Sequence, residues 1–209
     1  MKTLAIIGAG HLGQQIAHYA ITDNHYQRVV FFDDICKESQ ICGFTVLGSC
    51  KEIEKEFLRN SFDELIIGVG YKHIEARKQL YDKYANSIPL GKIIHSSCWV
   101  DNTAQIHQGC VIYPSCTIDA NATIAENTIL NIACTVAHDT KVGKHCFLSP
   151  RVALAGYIEI DEMCILGINS TFVDNITIKA RTQIGGGCVV IKSIQQPGLY
   201  VGNPQRFIR

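Results

Sequence analysis

A histidine and an aspartate stand side by side at positions 138 and 139, in a segment, TVAHDTKVG, whose other residues are mostly small or aliphatic. A histidine ring titrates near pH ~6.5 and can take a proton from a reacting group at neutral pH. A carboxylate that holds its other ring nitrogen fixes the tautomer and stabilises the protonated ring. The pair is a candidate general base; the alternative is a solvated polar turn.

A candidate nucleotide-binding site lies near the N-terminus, where Gly8, Gly10 and Gly13 form GxGxxG and Asp33 follows 20 residues after Gly13. This arrangement matches the dinucleotide fingerprint, in which phosphates sit at a helix N-terminus and an acid reaches the ribose. A dehydrogenase would need more chain: fewer than 100 residues precede the repeats described below, which is room for one mononucleotide-binding half.

The elements around these residues fall into two parts, and the first part is α/β. Alternating apolar strands and amphipathic helices predict a small parallel sheet. The predicted strands are KTLAIIG, RVVFFDD, DELIIGVG and KIIHSS, the predicted helices are GHLGQQIAHYAI, KEIEKEFLRN and YKHIEARKQLYDKYA, and ICGFTVLG is expected to be extended or a hairpin around Gly43.

The second part repeats every six residues. Sixteen positions in steps of six carry a large apolar residue without an insertion: Val100, Ile106, Ile112, Ile118, Ile124, Leu130, Val136, Val142, Leu148, Leu154, Ile160, Leu166, Phe172, Ile178, Ile184 and Val190. Such a short strict period is typical of a solenoid, whose units bury their apolar side by stacking. We predict a βαβαβ domain over 1–95 and an all-β solenoid over 96–209.

Small residues occupy most positions two before these large ones, on the same face of each predicted strand. Seven of the ten cysteines fall there, and we expect them to act as compact apolar core residues. The chain has no CxxC pair and its start is too short and glycine-rich for a signal peptide, which favours a reduced, cytoplasmic location over disulfides or zinc.

The charge balance and the hydropathy of the chain argue against further classes of protein. Lys plus Arg and Asp plus Glu each number 19, so the formal net charge is zero, which argues against electrostatic binding of nucleic acid or an anionic membrane. No apolar run approaches the roughly 20 residues that span a bilayer.

Taken together, these motifs resemble the PglD-type and NeuD-type hexapeptide-repeat sugar acetyltransferases. The matching pieces are GAGHLG, FFDD, GVG, AHD, FLSPRVALAG, LGINS, IGGG and LYVGNPQR, in this order over nearly the whole chain. The resemblance implies that the solenoid is a left-handed β-helix of three sides and 18-residue coils. It also implies an acetyl-CoA-dependent enzyme without a metal, a homotrimer with active sites between subunits, and an acceptor that is a nucleotide-linked amino-deoxy sugar for bacterial surface glycans or glycoproteins.

The resemblance also implies roles for individual residues. His138 is the base and Asp139 its partner; Gly156, Ile168, Gly186 and Asn131 bind acetyl-CoA; Gly8, Gly10, His11, Asp33, Asp34 and Gly70 bind the acceptor's nucleotide. A coil of 18 residues places Gly156 beside His138, about 4.8 Å away, where its amide could bind the thioester oxygen. Asn131 could instead cap a turn.

The chain departs from relatives at three positions. Asp139 is one methylene shorter than the glutamate of some relatives, which could weaken or reorient its contact with His138. Arg151 stands where relatives often have a glycine, and it could reshape a ligand pocket. His11 is slightly out of register with the corresponding residue of relatives.

Other functions stay open at this point. One is O-acetylation of a sialic-acid-type sugar, and another is a non-catalytic nucleotide-binding or assembly protein on the same scaffold. A γ-type carbonic anhydrase would need His107, His138 and His145 around zinc, but the last two are seven residues apart, wider than in that family.

Overall fold

The chain forms two compact units that meet in sequence at Ile93 and Ile94. The computed structural model describes residues 2–209. Among these residues, no helix combines the length and apolarity needed to cross a bilayer.

The first unit is a five-stranded sheet in the order β3-β4-β2-β1-β5 with three helices. Its elements are β1 (Thr3–Ile7), α1 (His11–Thr22), β2 (Arg28–Phe32), β3 (Gln40–Ile41), β4 (Phe44–Gly48), α2 (Ile53–Leu58), β5 (Glu64–Ile67) and α3 (Ile74–Tyr84), with 3-10 turns at Cys50–Glu52 and Tyr71–His73. Strands β1, β2, β4 and β5 are parallel, and β3 pairs with β4 as the predicted hairpin, in which Gly43 has a φ of 81°.

The apolar runs of this unit form its core. The last four residues of β1 and of β2 are buried, as expected for parallel strands covered on both faces. Helix α1 buries Ile16, Ala17 and Ala20, three of the residues whose spacing predicted it.

The prediction for KIIHSS was wrong. Only Ile93–Ile94 is a strand (β6), and it joins a sheet of the second unit instead of closing the α/β sheet. The cause is the repeat itself: Ile94 lies six residues before Val100, so this segment already has the period of the solenoid.

The second unit is a left-handed parallel β-helix with three sides, as predicted. Sixteen two-residue strands make its coils: β7 (Trp99–Val100), β8 (Gln105–Ile106), β9 (Val111–Ile112), β10 (Thr117–Ile118), β11 (Thr123–Ile124), β12 (Ile129–Leu130), β13 (Thr135–Val136), β14 (Lys141–Val142), β15 (Phe147–Leu148), β16 (Ala153–Leu154), β17 (Glu159–Ile160), β18 (Ile165–Leu166), β19 (Thr171–Phe172), β20 (Thr177–Ile178), β21 (Gln183–Ile184) and β22 (Val189–Val190). Two tail strands, β23 (Leu199–Val201) and β24 (Arg206–Phe207), close the unit.

Each side of the prism is one sheet. Side one contains β7, β10, β13, β16, β19 and β22; side two contains β8, β11, β14, β17 and β20; side three contains β6, β9, β12, β15, β18, β21, β23 and β24. We call the bends from side one to side two the first corner, those from side two to side three the second corner, and those from side three to side one the third corner.

The core of the prism is the sixteen predicted large residues with the small residues two before them. Several small residues also satisfy corner carbonyls of the next coil: the Cys116 Sγ–H donates to Asn131 O at 3.1 Å, and the Thr140 Oγ1–H to Ala155 O at 2.7 Å. The inward cysteines are therefore weak donors as well as apolar fillers.

Candidate active site

His138 and Asp139 lie at the first corner, between β13 and β14. Asp139 has a φ of 60°, a left-handed conformation that aspartate tolerates better than most residues, and its N–H donates to Ala120 O at 2.9 Å. This bend points both side chains out of the prism, leaving the side chain of His138 49% exposed and that of Asp139 32%. The repeat thus presents the pair to ligand without using it in the core.

The two side chains contact each other despite the short aspartate. His138 Nδ1 lies 3.0 Å from Asp139 Oδ2, and Asp139 Oδ1 accepts a hydrogen bond from Asn121 Nδ2 at 3.2 Å. These hydrogen bonds, that of His138 first, hold the pKa of Asp139 below its ordinary value, so the carboxylate is ionised at neutral pH. With Nδ1 donating to this carboxylate, Nε2 is the ring nitrogen with a lone pair to accept a proton.

Gly156 lies directly beside the His138 ring, where the coil length predicts it. A Cβ at Gly156 would lie 2.7 Å from His138 Cε1 and 2.9 Å from Nε2, closer than packed atoms approach. The Gly156 N–H donates to no acceptor within residues 2–209. This position therefore combines room for the imidazole with an amide available to a bound oxygen.

Tyr157 is a neighbour of His138 that the sequence reasoning missed. Its ring meets the imidazole edge to face, with centroids 5.2 Å apart and planes at 85°, and its N–H donates to His138 O at 3.2 Å. A groove of about 550 Å³ lies at the same corner, next to Tyr157 and Asp139. It is lined by Asn121, Asp139, Lys141, Tyr157, Glu159, Asn175, Ile176 and Thr177.

The other residues expected to bind acetyl-CoA lie at the third corner, one side of the prism away from His138. Gly186 packs on Ile168, since a Cβ there would lie 3.1 Å from Ile168 Cγ2. Asn131 Oδ1 accepts the N–H of Ile132 at 2.8 Å, so this side chain caps its own turn. Arg151 occupies a left-handed position of the same corner, with a φ of 62°. A single subunit therefore does not bring these residues to His138.

The glycine-rich turn of the first unit has two positions that only glycine fits. Gly8 has a φ of 100°, and a Cβ at Gly13 would lie 1.9 Å from Gly8 O. Gly10, by contrast, has open space around it and precedes His11, the first residue of α1. Gly68, which the sequence reasoning did not single out, approaches Gly13 so closely that its Cβ would lie 3.0 Å from Gly13 Cα.

Asp33 and Asp34 line a cavity beside this turn, but their carboxylates already have backbone partners. Asp33 Oδ2 accepts the N–H of Ala9 at 2.7 Å, and Asp33 Oδ1 accepts those of Ile35 and Cys36 at 2.8 Å each. Desolvation raises the pKa of Asp33, yet these N–H donors outweigh it and hold the pKa below its ordinary value. Asp34 Oδ1 accepts the N–H of Cys50 at 2.8 Å.

The cavity measures about 360 Å³ and contains some of the predicted residues. It is lined by Ile7, Gly8, Phe32, Asp33, Asp34, Ile35, Cys50, Val69, His73, Ala76 and Leu80. Gly10, His11 and Gly70 are outside this lining; Gly70 borders Leu12, and its neighbour Val69 faces the cavity. Cys50 and His73 are lining residues that the sequence reasoning missed.

The three histidines considered for zinc do not share one corner. His107 and His145 lie at the second corner, whereas His138 lies at the first. His145 is buried beside Asn127, with its Nδ1 2.9 Å from Asn127 Nδ2. Within the described part of the chain, no three His, Cys, Asp or Glu residues converge in a way that could hold a metal ion.

Comparison with known proteins agrees with this architecture. Residues 3–84 match the family model of the PglD N-terminal domain. The acetyltransferase domain of PglB from Neisseria gonorrhoeae FA1090 is 27% identical, with a TM-score of 0.90 and all of both chains covered. PerB from Caulobacter crescentus, solved with CoA and GDP-perosamine, is 23% identical, with a TM-score of 0.90 over 100% of this chain and 98% of that one.

WeeI from Acinetobacter baumannii AYE, at 20% identity and a TM-score of 0.86 over the full length of both chains, has the same fold. No curated protein matches the chain significantly. The fold and the full-length similarity define a hexapeptide-repeat acyltransferase. Residues 3–84 match the PglD N-terminal domain, and over its full length the chain is similar to the PglB acetyltransferase domain.

Proposed function

We propose that this enzyme transfers an acetyl group from acetyl-CoA to the amine of a nucleotide-linked amino-deoxy sugar, with His138 as the general base. The observation that carries the proposal is the first corner, where His138 is held by Asp139 on one side and faces Gly156 on the other. The PglB acetyltransferase domain, solved with acetyl coenzyme A at 27% identity, supports the donor, and PerB, solved with GDP-perosamine, suggests the type of acceptor.

In this reaction the amine nitrogen attacks the thioester carbonyl carbon and the carbon–sulfur bond breaks. His138 Nε2 takes the proton that the amine loses, and this proton then passes to the departing thiolate. Asp139, ionised and 3.0 Å from Nδ1, stabilises the imidazolium that forms in between. The amide of Gly156 donates to the carbonyl oxygen as it becomes negative.

The nucleotide of the acceptor binds in the first unit. Its phosphates lie at the N-terminus of α1, where the Gly8–Gly13 turn keeps side chains away from the helix end. The 360 Å³ cavity binds the base and ribose. Asp33 shapes the wall of this cavity, because its carboxylate accepts hydrogen bonds from the N–H groups of Ala9, Ile35 and Cys36.

The active form is a homotrimer with its sites between subunits. This assembly is supported by the separation of the candidate residues: Ile168 and Gly186 lie at the third corner and His138 at the first, so a second subunit could bring one corner to the other. We expect sedimentation to give a trimer at micromolar concentration. The reaction takes place in the cytoplasm, where the ten cysteines, all free, remain reduced.

The test is a screen of UDP-, GDP- and dTDP-linked amino sugars with acetyl-CoA, read by mass spectrometry as the gain of one acetyl group. His138→Ala should lower kcat by about 10²- to 10⁴-fold, the usual contribution of a general base, with binding of acetyl-CoA retained. His107→Ala is the matched control: this half-exposed histidine lies at another corner, and its loss should leave activity unchanged. Near-full activity of His138→Ala would refute the base assignment.

Two other outcomes would favour the alternative functions. A product whose acetyl group is released by hydroxylamine is an ester, which would indicate O-acetylation, for example of a sialic-acid-type sugar. Nucleotide-sugar binding without any acetyl transfer across the screen would favour a non-catalytic protein on the same scaffold.

A further inference from the structure

We infer that Asn121 is a positioning residue for the base, so that the working unit is a chain Asn121–Asp139–His138. This inference rests on the proposed function, because it presupposes that His138 takes the proton. Asn121 lies 18 residues before Asp139, one coil away at the same corner, and its Nδ2 donates to Asp139 Oδ1 at 3.2 Å. The other oxygen of the carboxylate, Oδ2, holds His138 Nδ1.

The geometry of Asp139 explains why its carboxylate needs a second hydrogen-bond donor. Its carboxylate is partly exposed and carried on a short side chain, so it can rotate about its side-chain torsions and trade His138 for water. Asn121 holds Oδ1 from the coil below while His138 holds Oδ2, so that each oxygen has a donor, and a side-chain hydrogen bond from Tyr157 adds to these two. In this arrangement the carboxylate faces Nδ1 before the acceptor binds, and Nε2 keeps its lone pair for the proton.

Asn121 is itself held by the first coil. Its backbone N–H donates to Thr103 Oγ1 at 2.8 Å, and the Thr103 hydroxyl donates to Asp101 Oδ1 at 2.6 Å. Asn121 also has a left-handed φ of 58°, which asparagine adopts at low cost and which directs its side chain along the corner. Hydrogen bonds therefore connect the corners of three successive coils, from Asp101 and Thr103 through Asn121 and Asp139 to the histidine ring.

The first test compares Asn121→Ala with the wild type. Partners one step removed from a reacting group commonly contribute about 10-fold or more, so kcat should fall about 10-fold while KM for acetyl-CoA stays within about 2-fold. Asn121→Asp keeps the size and the left-handed preference but cannot donate while it is ionised, and it should lose at least as much. Asn121→Asp also tests the inference if Asn121→Ala does not fold.

The second readout is the tautomer of His138, followed by ¹⁵N chemical shifts of the labelled ring. The wild type should carry its proton on Nδ1, and both variants should show a mixture of tautomers, which a loss of stability alone would not produce. Asn24→Ala is the matched control, because Asn24 is exposed with the same φ of 58° but lies in the first unit at the end of α1.

A kcat within about 2-fold of wild type in folded Asn121→Ala, or an unchanged tautomer, would overturn the inference. Failure of the proposed function would look different: His138→Ala would then remain active. If His138→Ala is inactive and Asn121→Ala is fully active, only the role of Asn121 is lost.

Discussion

Replacing Gly156 by alanine tests the packing between two coils on which the site depends. The added methyl carbon would start 2.7 Å from His138 Cε1, whereas ordinary contact begins at 3.4 Å. The ring must therefore retreat by about 0.7 Å, unless the two corners separate. Backbone hydrogen bonds between these two coils resist separation, since Tyr157 N–H donates to His138 O and Ala137 N–H donates to Leu154 O.

The expected loss of activity in Gly156→Ala follows from how precisely the reacting groups must be placed. Misplacing a reacting group by about 1 Å can cost on the order of 10²-fold in rate, and a shift of about 0.7 Å approaches that range. Gly156→Ala should thus lower kcat by about 30- to 100-fold. The cost falls on the reaction and not on folding, because Gly156 is not among the glycines with a left-handed φ and alanine can adopt its backbone conformation.

The assay is steady-state acetyl transfer together with thermal unfolding. Asp174→Ala is the matched control: Asp174 occupies the same corner position one coil further on, next to Gly156 instead of His138, and its loss should leave kcat within about 2-fold. Wild-type activity of Gly156→Ala would refute the packing argument. Because the variant retains the Gly156 amide N–H, a large loss would be due to the ring and not to the proposed oxygen donor.

Two further predictions concern stability. Thr140→Val keeps the shape of the side chain but removes the hydroxyl that donates to Ala155 O and accepts the buried N–H of Ile158, so it should lower the free energy of unfolding by about 1–3 kcal/mol, measured by denaturant titration, whereas Thr140→Ser should cost clearly less. Asp33→Asn should lower the melting temperature more at pH 7 than at pH ~2: the folded pKa of Asp33 lies below its ordinary value of 3.8, so the stability it contributes is present above that value and is lost as pH falls through the folded pKa. Equal destabilisation of Asp33→Asn at both pH values would contradict the ionised role.

The sequence was most informative where one physical requirement repeats. Each repeat must bury one large and one small residue, so the period of six predicted a solenoid and the inward position of seven cysteines, while the family resemblance implied the left-handed β-helix with its 18-residue coils. The same arithmetic placed Gly156 beside His138. Asn121 lies 18 residues before Asp139 and follows the same spacing, but asparagine recurs at such left-handed corner positions, as at Asn127 and Asn169, so its residue type alone carried no signal.

Other features depend on information that a linear pattern does not carry. The motifs did not show that Asn131 lies at the third corner and His138 at the first, because the corner of a residue depends on where each side of the prism begins. Asp33 was expected to bind ribose, but its backbone donors come from two loops, Ala9 from the turn after β1 and Ile35 and Cys36 from the segment after β2. Ile93 and Ile94 were predicted to form the last strand of the α/β sheet because an isolated apolar pair fits either unit.

The architecture separates what folds the second unit from what performs its chemistry. Its core consists of inward residues of the strands, whereas His138 and Asp139 project from a corner and contribute nothing to that core. Neighbours in the site are therefore 17 or 18 residues apart in sequence but one coil apart in space, as Asn121 and Gly156 are with respect to the pair. It follows that corner substitutions can change activity in a folded protein, whereas inward substitutions such as Thr140→Val act on stability first.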